Sequence, residues 1–130
     1  MKYLLIIIAG LLLFAGCKPV VKPQTLYGTW KYTKLENPNA NPPGSMDAYL
    51  LQSKSPSIRF TKSDSVVILW SDTVLLRGTF AIDGSDIKIN EILTGGKTVQ
   101  FPFSVIKLTD KQLIFESHGE DGSRVTAVKE

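Results

Sequence analysis

The chain has 130 residues, 43% of them hydrophobic, with 15 Lys and Arg against 12 Asp and Glu and a net charge of +3. That length suits one domain, and so small and evenly spread a charge excludes a basic nucleic-acid-binding surface. Cys17 is the only cysteine, which excludes a disulfide within the chain.

The first element in chain order is a leader. Lys2 precedes an apolar run from Tyr3 to Phe14, and Ala15-Gly16-Cys17 follows. A charged start, an apolar core of about a dozen residues and small residues at its end form a signal-peptide pattern. The run is shorter than the roughly 20 apolar residues that span a bilayer. Ala15-Gly16-Cys17 resembles the bacterial lipobox, in which a cysteine is acylated and becomes the first mature residue; Phe14 stands where Leu is usual. We therefore expect a leader over 1–16 and acyl chains such as palmitate on Cys17, which hold the protein to a membrane. Each buried CH₂ contributes about 0.8 kcal/mol, so several chains anchor far better than one. Loss of Met1–Gly16 takes Lys2 from the 15 basic residues and leaves 14 against 12 acidic, a net +2.

Residues 17–25 carry Pro19 and Pro23 and read as a short tether. The folded domain is expected over 26–130. Its first strand, Tyr27–Leu35, puts Gly28, Trp30 and Tyr32 on one face, because residues two apart in a strand point the same way. Asn37–Ser55 then breaks the strand pattern with Asn-Pro and Pro-Gly pairs. Within it Ser45 is placed to cap a helical turn carrying Met46, Tyr49 and Leu50. So long a connection in a compact domain calls for a reason. We expect it to fold over one mouth of a barrel.

From Pro56 onward short strands alternate with turns: Ser57–Thr61, Val66–Trp70, Thr73–Ile82, Asp86–Glu91, Lys97–Leu108, Gln112–Ser117 and Ser123–Lys129. Asp83-Gly84 marks a hairpin. Pro102 and a change of apolar parity before Ile106 predict a bulge over Pro102–Val105. Eight strands joined mainly by hairpins, with no crossover helix, make an all-β antiparallel up-and-down barrel, with a packed sandwich as the alternative.

Catalytic chemistry is sparse. Gly96-Lys97-Thr98 ends like a phosphate loop, but Glu91 stands where the first glycine belongs and no helix follows. His118 is the only histidine, a poor start for a metal site. No Gly-x-Ser-x-Gly occurs, and no Ser-His-acid set is apparent. We expect no enzyme, no cofactor, no metal and no nucleic-acid partner; a protein partner is not specified. The aromatic set Trp30, Tyr32, Phe60, Phe80, Phe101, Phe103 and Phe115 is expected inward, with Tyr49 over the mouth. An eight-stranded barrel is filled by such side chains or holds one small ligand. These eight residues are thus candidates to line a site for a small apolar or amphipathic ligand. The alternative is a solid barrel that acts as a structural or protein-interaction module.

Gly28-Thr29-Trp30, Gly78-Thr79-Phe80 before Asp83-Gly84, and Leu108-Thr109-Asp110 together resemble the lipocalin-like lipoproteins of Bacteroidetes. The resemblance covers Leu26 to Lys129. It implies a lipocalin-like barrel and a structural motif in which a basic residue of the last strand packs on the first-strand tryptophan, with Arg124 as the candidate beside Gly28 and Trp30. No acidic cluster follows Cys17, which in that family implies an outer-membrane protein facing the periplasm.

Overall fold

The computed structural model describes residues 19–40, 43–118 and 122–130. The leader Met1–Gly16 and the candidate lipidation residue Cys17 lie outside the described residues. The elements in order are α1 (Pro23–Leu26), β1 (Gly28–Asn37), the two-residue β2 (Gly44–Ser45), α2 (Ala48–Lys54), β3 (Ser57–Phe60), β4 (Ser65–Trp70), β5 (Thr73–Asp83), β6 (Asp86–Ile92), β7 (Thr98–Leu108), β8 (Gln112–Ser117) and β9 (Arg124–Lys129). Each long strand pairs antiparallel with the next, and β1 also pairs with β9. The eight long strands therefore close into a barrel. Closure leaves no long edge open to another chain.

Alternation explains the interior. Ile58 and Phe60, Val66 and Ile68, Ile87 and Ile89, and Leu113 and Phe115 are buried, with their strand neighbours half-buried or exposed. Ser71 and Asp72 both adopt positive φ (52° and 62°), the backbone a two-residue hairpin needs to match strand twist. Gly78 has a different task. A Cβ there would overlap the Asn90 carbonyl oxygen, so only glycine lets β5 and β6 approach so closely.

Three bulges adjust the register. The one in β7 falls between Val105 and Lys107, just past the expected Pro102–Val105. Pro102 sits one residue before the β8 pairing begins at Phe103, so β8 asks no hydrogen bond of its ring nitrogen. The bulge between Ile68 and Leu69 leaves Leu75 without a partner, and Val74 beside it is 53% exposed.

The strand directions define two ends. At one end lie α1 and the β3–β4, β5–β6 and β7–β8 turns; at the other lie the β4–β5 and β6–β7 turns and the connection from β1 to β3. The packed part starts at Val21, ahead of the expected Leu26. Val21 is 3% exposed and donates its N–H to the Gly84 carbonyl at 3.1 Å.

Candidate functional site

The expected ligand-lining aromatics are brought together inside the barrel. Trp30, Tyr32, Phe60, Phe80, Phe103 and Phe115 are buried, and Phe101 is half-buried against them. They touch one another. Phe60 and Phe80 meet edge to face at 5.0 Å between ring centres, and Phe101, Phe103, Phe115 and Tyr32 form a chain with spacings of 5.5, 4.8 and 6.3 Å. Aromatic pairs at such spacings add about 0.5–1.5 kcal/mol each beyond area burial. Burial also pushes the Tyr32 hydroxyl above its ordinary pKa of 10.0, so the phenol stays neutral.

Tyr49 is not part of this set. It is 76% exposed, and the inward residue of α2 is Leu51, with Met46 packed against the core from just before the helix. The reason is the cap: Asp47, not Ser45, accepts the Tyr49 N–H at 2.7 Å, and this starts the helix two residues later than expected. Ser45 lies in β2 instead. The connection still covers its end of the barrel, tied by Met46 N–H to Leu35 and by Ser71 N–H to Lys54, both at 2.8 Å.

The structural motif at the α1 end also changes one member. Lys129, not Arg124, lies over Trp30, with Nζ at 5.1 Å from the ring centre. Register decides this, because Trp30 pairs with Lys129 whereas Arg124 pairs with Glu36, six residues along β1. Arg124 instead meets the Glu116 carboxylate at 2.6 Å. Gly28, at φ +125°, fits the motif twice: its backbone favours glycine, and a Cβ would press on the Lys129 stem at 2.9 Å. The indole N–H donates to the Leu26 carbonyl at 2.8 Å, and Lys129 Nζ donates to that of Thr25 at 3.2 Å. α1 is thereby clasped across the end of the barrel.

The outside carries two clefts of about 540 Å³ each. One crosses β5, β6 and β7 over the outward positions Thr79, Ala81, Lys88, Asn90 and Gln100, and is also bordered by Phe80 and Phe101. The buried Asn90 Oδ1 there has no hydrogen-bond partner among the described residues. The other lies between the β4–β5 and β6–β7 hairpins, where Val74, Leu75, Ile92 and Leu93 are exposed.

A polar cluster also escaped the sequence reading. Ser104 Oγ donates to Asp86 Oδ1 at 3.2 Å and lies 2.7 Å from His118 Nε2. The strand register was the available signal, since Ser104 pairs with Asp86 on one side and with Glu116, two residues before His118, on the other. The order differs from a hydrolase triad. There the imidazole sits between hydroxyl and carboxylate; here the hydroxyl is central and spends its one proton on Asp86. Among the described residues no group of three or more His, Cys, Asp and Glu side chains is placed to hold a metal.

No protein-family model matches the chain, and no curated protein matches it. Among solved structures, a lipocalin-like protein from Bacteroides uniformis aligns with a TM-score of 0.58 at 16% identity, over 82% of this chain and 99% of that one. The fold is lipocalin-like. Its features take their places in that barrel: eight antiparallel strands in order, a short helix across one end, and a long first connection across the other.

Proposed function

We propose that the protein is a non-catalytic recognition module of the bacterial cell envelope, anchored in the outer membrane by acylated Cys17 and facing the periplasm. In this reading the barrel is solid and its outer surface meets the partner, a second envelope protein. The observation that carries it is the ring packing within the core, Phe60 on Phe80 and Phe101, Phe103, Phe115 and Tyr32 in a chain. Side chains that fill an eight-stranded barrel leave its volume to themselves. The leader pattern and the lone Cys17 support the anchor.

A second reading, binding of a small amphipathic ligand, is favoured by one observation. The cleft over β5–β7 combines apolar Phe80 and Phe101 with the unpaired Asn90 Oδ1, the mixture of apolar wall and sparse polar groups that ligand sites use. Native mass spectrometry of the protein purified from its own host, with titration by N-phenyl-1-naphthylamine, separates the two. The solid-barrel reading expects no retained small molecule and no saturable probe binding. A retained molecule, or micromolar probe binding lost in Phe101→Asp, overturns it in favour of the cleft.

A further inference from the structure

We propose that the α1 end of the barrel, with the β3–β4, β5–β6 and β7–β8 turns, rests on the lipid surface, while the end covered by α2 points away from it. The inference rests on the acylation of Cys17 and adds to it a direction. Val21 stands four residue steps after Cys17, with three residues between them. At about 3.3–3.6 Å per residue, even a fully extended link reaches no more than about 14 Å. Val21 is not free to lengthen that link, because its side chain is buried and its N–H is held by Gly84 in the β5–β6 turn. Behind it, Leu26 is fully buried and α1 is clasped by Trp30 and Lys129. The anchor therefore leaves the barrel at one fixed point on its rim.

The dimensions then exclude the opposite pose. β5 runs between the two ends with 11 residues, about 36 Å of strand at ~3.3 Å per residue, or roughly 25–30 Å along the barrel axis at the usual strand tilt of about 35–45°. A 14 Å link at the Gly84 end does not let the β4–β5 and β6–β7 tips reach the same membrane by tumbling over. Val20 fits the assignment. It is 75% exposed and lies on the link, where apolar surface would meet the interface. Charge plays a smaller part. Exposed Lys22, Lys62 and Lys111 lie at this end, but so do exposed Asp64, Asp83 and Asp110, so tether geometry rather than electrostatics sets the direction. The exposed Val74, Leu75, Ile92 and Leu93 are consequently presented on the far side, away from lipid.

Acylation consumes the Cys17 thiol, so a cysteine introduced elsewhere is the single site for a fluorophore. Full-length protein carrying Lys62→Cys, Asp110→Cys, Leu75→Cys or Thr94→Cys is processed in a lipoprotein-competent bacterium. Each variant is labelled with bimane and reconstituted in phosphatidylethanolamine–phosphatidylglycerol vesicles containing headgroup-nitroxide lipid. Quenching at positions 62 and 110 is expected to exceed that at 75 and 94 by about fivefold or more. In a variant with a Gly-Ser insert of about 30 residues after Lys18, a link long enough to span the barrel, that contrast is expected to fall at least twofold with the barrel still folded by circular dichroism. Equal quenching at both ends, stronger quenching at 75 and 94, or an unchanged contrast with the lengthened link overturns the assignment. Intact-mass measurement is made first: a chain lacking the acyl mass overturns the anchor reading and this one with it, whereas an acylated chain with uniform quenching overturns the orientation alone.

Discussion

The two ends of the barrel are closed by different physics. At the α1 end the closure is directional: the Trp30 indole and the Lys129 ammonium each donate to a named carbonyl of the short helix, and Leu26 is driven fully inside. At the other end, the connection reaches the core through Leu51 of α2 and Met46 just before it, while Tyr49 and Leu50 are exposed. One end is a clasp and the other a lightly fastened cover. Segments with few buried apolar contacts and exposed backbone open at lower free energy than the core does. Rearrangement is thus expected at the cover and not at the clasp.

The largest test of this contrast is Trp30→Ala. Removing a fully buried indole is expected to cost about 3–5 kcal/mol in urea denaturation. Tyr49→Ala on the cover should stay within about 0.5 kcal/mol. Comparable losses from the two would break the comparison. Leu51→Ala comes next. It should cost about 2 kcal/mol, the low end for a buried leucine because the cover can settle. Amide exchange should quicken over 46–56 with β1 and β9 still protected; if protection in β1 and β9 fell equally, the cover would be part of the core. The smallest effect is Lys129→Met, which keeps the stem and removes the charge over the indole. About 1 kcal/mol is expected, from a partly exposed cation–π contact and one hydrogen bond to Thr25. Unchanged stability in Lys129→Met would undo the assignment of Lys129 to the motif.

The barrel was legible because strand alternation is local. Ile58 with Phe60, Ile87 with Ile89, and Leu113 with Phe115 announce their faces within a few residues, and hairpin turns between them leave little choice of neighbour. The features missed are those that depend on register between distant residues. Arg124 offers the expected guanidinium, but which last-strand residue reaches Trp30 is fixed by a β1–β9 pairing across some hundred residues of chain. The same holds for Asp86, Ser104 and His118, which meet only once β6, β7 and β8 are aligned. Tyr49 failed for a local reason. Ser45 and Asp47 are both good caps, and a two-residue shift in the helix start turns Tyr49 out and Leu51 in.

The grip on Val21 has a mechanical consequence. A drag on the amino-terminal segment meets the hydrogen bond to Gly84 first, and then α1 with its holds on Trp30 and Lys129. Those holds belong to the β5–β6 turn, β1 and β9, so the load divides among several strands. A strand pulled from an open edge gives up its hydrogen bonds one after another, like a zip. Here the force enters a closed ring at several points around its rim, and no strand is offered alone to be peeled.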